Sequence, residues 1–180
     1  MAGNTRPAPS ICAKIRQVMP PELWGGPFRW PWRLGGWKIV AGALGLLLAS
    51  FFLNFGFQQA LVHWLGHAPA PQNTVPLIKE SMHANPIISV VAIGFLVPLV
   101  EEIIFRGLIF GALQRWLSIG WVLGLTSFLF ALIHLEFVRF PLLVFLGFVL
   151  GWARWRSGSI GLPVLIHSLN NCFALMFLSS

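Results

Sequence analysis

The chain has 180 residues, 57% of them hydrophobic and only 9% charged, and its mean hydropathy is +0.78. Soluble domains carry about 25% charged residues, so a soluble globular domain is excluded. An all-α polytopic membrane bundle of about five transmembrane helices is expected, with no second compact domain. The net charge of +7 does not mark a nucleic-acid binder. The cations lie in short segments between apolar runs, as topology signals and contacts with anionic lipid head groups do, and form no basic stripe.

Residues 1–36 form a basic, Trp-rich arm expected on the cytoplasmic side. Arg6, Lys14, Arg16, Arg29 and Arg33 stand there against Glu22. Pro20-Pro21, Pro27 and Pro31 argue against a long helix, and the part around Trp24 to Trp37 suits a membrane surface. The apolar run that follows starts too late and continues too far for a cleaved signal peptide. The membrane domain is expected over 37–180. Ile39 to about Phe57 is the first predicted span, with His63 and His67 beyond it in interfacial or solvated positions. Residues 68–85 are a Pro-rich loop with a short surface helix around Leu77 to His83.

Pro86 to about Trp116 is predicted as one long helix that Gly94 and Pro98 could bend. Ile119 to about Phe137 follows, then a turn at Arg139-Phe140-Pro141. Leu142 to about Trp155 is a short span, and Leu162 to about Leu178 is the last. Placing the N-terminus in the cytoplasm puts Arg115, Arg154 and Arg156 inside, and only Lys79 and Arg139 outside beside Glu80 and Glu136. The positive-inside rule therefore orients the chain in the inner (plasma) membrane with its C-terminus outside. Cys12 and Cys172 are expected neither to pair nor to hold metal, and Cys172 reads as a small packing residue.

Within the long helix, Val97 to Phe110 (VPLVEEIIFRGLIF) carries Glu101, Glu102 and Arg106 in apolar surroundings. Charges in such a place must be paired or used. Glu102 and Arg106 are four apart and can pair on one face. Glu101 points roughly 100° away and lacks that partner. At about 1.5 Å rise per residue, His134, His167, Arg106 and Glu102 all fall roughly 13–20 Å from one membrane face, in a single layer. His167 and Asn171, four apart, share a face, whereas Asn170 is as readily a helix-packing amide. Glu136 is expected to be solvated near the outer interface.

Three chemistries suit this set. A carboxylate in an apolar site can take a proton from water, with an imidazole sharing that water and a second imidazole and an amide donating to an oxyanion. Two Glu and two His could hold a metal, although neither H-E-x-x-H nor E-x-x-H is present. An ion or proton path is the third. A purely structural use, a salt-bridged helix kink, stands beside them.

Three motifs resemble the CPBP or Abi family of intramembrane glutamic endopeptidases, which process CAAX proteins and bacteriocins. They are E-E-x-x-x-R (Glu101 to Arg106), F-x-x-x-H (Phe130 to His134) and H-x-x-x-N (His167 to Asn171), with the lead-in RSGSIGLPVLIH at Arg156 to His167. The resemblance covers the protease-like core at 86–177. It implies a helical membrane fold and hydrolysis of a peptide bond in a membrane-associated protein or peptide, with no metal and no cofactor. It implies Glu101 as general base, His134 as its partner, His167 and Asn171 as the oxyanion site, and Glu102 and Arg106 in support. With about five spans where larger members have eight, the chain resembles a compact prokaryotic form. A catalytically silent scaffold or immunity protein with the same polar core is the alternative.

Overall fold

The computed structural model describes residues 36–67 and 75–179; the expected arm lies outside them. The described residues form six helices and no strand. Helix α1 spans Gly36–Leu65, α2 Val75–Ala84 and α3 Pro86–Leu113. Helices α4, α5 and α6 span Ile119–Ile133, Phe140–Ser157 and Gly161–Ser179. Five of the six lie where spans were expected, of which α1 and α3 are long and apolar enough to cross a membrane, and α2 is the short loop helix.

Four boundaries differ from the sequence expectation, each for a local reason. Helix α1 runs through Gln58, Gln59 and His63, which lack any breaker, and stops at Gly66. There φ is +75° and the Gly66 N–H donates to the Val62 carbonyl at 2.9 Å, a left-handed glycine cap. Helix α4 ends at Ile133 instead of near Phe137, because Leu135 takes a left-handed φ of +53°. Helix α5 starts at Phe140 with Pro141 in its first turn, where a missing N–H costs nothing. Helix α3 ends at Leu113 and carries two widened stretches, one on each side of the segment that holds Pro98. The Val97 N–H reaches the Ala92 carbonyl and the Phe110 N–H reaches the Phe105 carbonyl, both five residues back. Pro98 brings no N–H to this ladder. The widened stretches, Val90–Leu96 and Ile103–Ile109, bracket the six-residue α-helical segment Val97–Glu102.

Helix α5 runs antiparallel to α4. Gly147 and Gly151 of α5 lie against Ser127 and Leu123 of α4, so close that a Cβ on Gly147 would come within 2.9 Å of Ser127 Cα. Helix α6 runs antiparallel to α3: Asn171 meets Ile93 and His167 meets Glu102. The Cys172 thiol packs on Gly94, as its size suggested. Helix α1 covers α5 and α6, and the shared core is Ala43, Leu47, Phe105, Phe130, Leu146, Leu150, Ala153, Leu162 and Ile166.

Outside this core the surface is apolar. Phe52, Phe55, Ile87, Ile88, Phe137 and Met176 are all exposed. Trp37, Trp64, Trp116 and Trp121 stand exposed at helix ends, where interfacial tryptophans belong. This is a membrane protein, its apolar helices turned outward to lipid and its polar side chains gathered within.

Candidate active site

The two carboxylates sit where the α-helical segment of α3 opens into its second widened stretch. Such stretches occur often at functional sites. The adjacent glutamates meet opposite surroundings. Glu102 is fully buried, and its Oε1 accepts from Arg106 Nη1 at 2.9 Å and from His167 Nδ1 at 2.9 Å. Arg106, also fully buried, sends Nη2 to the Gly147 carbonyl at 2.8 Å. Its planar fork thereby spans a carboxylate on its own helix and a backbone oxygen on α5 through two separate nitrogens. The Glu101 side chain is 20% exposed, and its closest charged partner is His167 Nε2, 3.6 Å from Oε2. That separation is too long for a hydrogen bond, and Glu101 Oε2 has none.

His167 thus stands between both carboxylates, one ring nitrogen toward each. It is nearly buried, at 3% exposure. Its Nδ1 donates to Glu102, which fixes the ring so that Nε2 faces Glu101. One guanidinium and one imidazole stand against two carboxylates. Glu101 Oε2, Glu102 Oε2, Arg106 Nε and Ser168 Oγ are all buried without a hydrogen-bond partner.

His134 lies at the C-terminal end of α4. Its backbone N–H turns to the Ala131 carbonyl at 3.2 Å, which releases the Phe130 carbonyl one turn below. The His134 ring takes that carbonyl through Nδ1 at 2.7 Å. A carbonyl can only accept, so Nδ1 carries the proton and Nε2 of the neutral ring is left as an acceptor. His134 is half-buried and makes no hydrogen bond or ion pair with Glu101. The Phe130 ring links it to the rest of the site, 4.7 Å from the His134 ring and 5.6 Å from the His167 ring.

Asn171 is half-buried, and its Nδ2 donates to the Ile93 carbonyl at 3.0 Å, in the first widened stretch of α3. One of its two amide hydrogens remains. Asn170 Nδ2 lies 3.5 Å from Asn171 Oδ1, at the edge of hydrogen bonding. The structure therefore gathers Glu101, Glu102, Arg106 and His167 directly, attaches His134 through Phe130, and ties Asn171 to the α3 backbone. Among the described residues, no three His, Cys, Asp or Glu side chains are grouped as metal ligands. His63 and His67 are exposed and Glu136 is half-buried at the α4–α5 turn.

Sequence reasoning missed Arg154, which it treated only as a cytoplasmic charge. Arg154 is 5% exposed, and its Nε donates to the Arg106 carbonyl at 3.1 Å. It therefore supports the backbone of the residue that clamps Glu102. The available signal was its spacing: Gly147, Gly151 and Arg154 form one i, i+4, i+7 stripe, and this is the stripe of α5 that faces α3 and α4.

Comparison with known proteins bears on the same segment. Residues 83–173, which contain every one of these site residues, match the family described as type II CAAX prenyl endopeptidase Rce1-like. The chain is 24% identical over 141 residues to YdiL of Bacillus subtilis (strain 168), named as a candidate membrane peptidase, covering 78% of this chain and 57% of that protein. It is 29% identical over 143 residues to an uncharacterized 24.3 kDa protein of Escherichia coli, covering 77% and 62%. It is 31% identical over 86 residues to the membrane-embedded CAAX protease MroQ of Staphylococcus aureus (strain USA300), covering 44% and 35%. The chain thus spans less than two thirds of the length of each of these relatives. No solved structure matches it.

Proposed function

The chain belongs to the type II CAAX prenyl endopeptidase Rce1-like family, and from that premise we propose that it is a glutamic intramembrane endopeptidase. It hydrolyses a peptide bond of a membrane-associated protein or peptide, with water activated by Glu101 and without a metal. The observation that carries this reading is the unequal state of the two neighbouring carboxylates. Glu102 is fully buried and its Oε1 is held by Arg106 and His167, whereas the Glu101 side chain is 20% exposed and has no ion-pair contact closer than 3.6 Å.

In the reaction, the Glu101 carboxylate takes a proton from water as the water oxygen bonds to the scissile carbonyl carbon. His134 Nε2 accepts the second hydrogen of that water and orients it. The oxyanion of the tetrahedral intermediate is met by His167 and by the remaining N–H of Asn171. As the C–N bond breaks, the proton held by Glu101 passes to the leaving amine. Nδ1 of His167 and Nδ1 of His134 are already bonded to oxygen atoms, which supports a metal-free site. Phospholipid vesicles containing anionic lipid are the expected setting, with Trp37, Lys38, Arg115, Trp155 and Arg156 at the cytoplasmic face and the C-terminus outside.

The scaffold reading has one observation in its favour, the use of Asn171 as a tie between α6 and α3. Reconstituted full-length chain, incubated with a prenylated C-a-a-X peptide and with an unprenylated membrane-spanning peptide, separates the two. Cleavage found by mass spectrometry, resistant to chelators and abolished in inserted Glu101→Ala and His134→Ala, is the hydrolase result. Cleavage of neither peptide by the wild-type chain, with both variants reduced in level, is the scaffold result.

A further inference from the structure

Phe130 belongs to one of the three motifs, yet the hydrolytic scheme gives it no task. It is fully buried at the centre of the core. Its ring lies 4.7 Å from the His134 ring, tilted by 52°, and 5.6 Å from the His167 ring, edge-on at 71°. The Arg106 guanidinium carbon stands 4.7 Å from its centroid. Phe105 meets it edge-on at 5.5 Å. One side chain therefore contacts residues on α3, on α4 and on α6. Its own carbonyl is the acceptor that fixes the His134 tautomer.

We propose that Phe130 is a positioning residue that sets the orientation of both imidazoles together, a role that rests on the hydrolytic reading above. The two rings come from different helices and share no hydrogen bond. The Phe130 ring is their common wall. Its electron-rich face also holds the Arg106 cation, whose fork keeps Glu102 in place for His167. An aliphatic side chain fills volume but offers neither a flat wall nor a quadrupole. With it, both imidazoles gain freedom at once, although neither loses its hydrogen-bonding acceptor.

The test uses the full chain in phospholipid bicelles with 15N-labelled histidine rings. The chain has five histidines, so His63, His67 and His83 serve as internal references. Phe130→Leu and Phe130→Met are compared with Phe128→Leu, which removes a half-exposed ring that meets Phe140 edge-on, away from both imidazoles. The expected result is that the His134 and His167 ring signals shift or broaden together in both Phe130 variants, while the references stay and Phe128→Leu moves neither. For a peptide that the wild type cleaves, kcat falls about 10- to 100-fold while KM stays within about threefold.

Movement of one imidazole alone, equal movement in Phe128→Leu, or failure of both Phe130 variants to fold would overturn the positioning role. A chain that cleaves nothing but shows the coupled shift would remove the hydrolytic reading and keep the ring placement. A chain that cleaves normally with Phe130→Leu would do the reverse.

Discussion

Replacing Arg106 by methionine removes the one cation that is wholly buried beside Glu102. Three contacts disappear: the 2.9 Å bond to Glu102, the 2.8 Å bond to the Gly147 carbonyl, and the approach to the Phe130 ring. Methionine fills much of the space, so the loss is chiefly electrostatic. Removing one partner of a buried pair costs about 3–5 kcal/mol, because the other charge is stranded. Arg106→Lys keeps the charge but lacks the two-nitrogen fork that serves both oxygens in fixed geometry. It leaves one buried acceptor unpaired, at about 1–3 kcal/mol. Glu102→Gln combined with Arg106→Met removes both charges and should be milder than the sum of the two single changes by about 2 kcal/mol or more. Reversible unfolding of the full chain in mixed micelles, followed by tryptophan fluorescence, gives all four values. The reasoning is refuted if Arg106→Met costs less than about 1 kcal/mol or if the lysine and methionine variants are equally unstable.

Four further outcomes follow from single contacts. Gly147→Ala places a Cβ 2.9 Å from Ser127 Cα and should cost about 1–3 kcal/mol by parting α4 from α5, read as a lowered unfolding midpoint. Arg154→Met should cost about 1–3 kcal/mol, whereas Arg156→Met, at an exposed position, should stay within about 0.5 kcal/mol; the same titration compares them. Leu135→Gly relieves a left-handed φ at a residue that is largely exposed and should stabilise by about 0.5–1 kcal/mol, seen as a raised midpoint. Asn171→Ala should lose about 0.6–1.7 kcal/mol, the range for hydrogen bonds between membrane helices, and Asn170→Ala should lose less, because its contact is at the limit of hydrogen bonding.

The helices were legible because apolar runs between polar or Pro-Gly breaks have few other outcomes in a membrane. The Glu102–Arg106 pair was legible from its spacing alone, and so was the isolation of Glu101 from it. Other features depend on partners that no local pattern names. His134 was expected in the last turn of a span that reached about Phe137. It sits at a helix end because Leu135, not a glycine, adopts the left-handed turn, and leucine gives no warning of that. The widened turns of α3 follow from the hydrogen-bond register around Pro98, where a sequence suggests only a bend. Arg154 has the residue type of a topology charge and the burial of a core residue. Only the glycine stripe below it on α5 hints at the difference. The Asn171 amide was assigned to an oxyanion by resemblance, and its bond to the Ile93 carbonyl depends on how α6 packs on α3.

The division of labour between two adjacent glutamates is tested most directly by Glu101→Gln, measured for stability and for cleavage on the same reconstituted sample. Glu101 Oε2 has no hydrogen-bond partner to lose. The variant should therefore unfold within about 0.5 kcal/mol of wild type while cleavage of a peptide that the wild type cuts disappears. A Glu101→Gln chain that is destabilised as strongly as Glu102→Gln, or that still cleaves at the wild-type rate, would contradict the assignment of Glu101 as the carboxylate left free for chemistry.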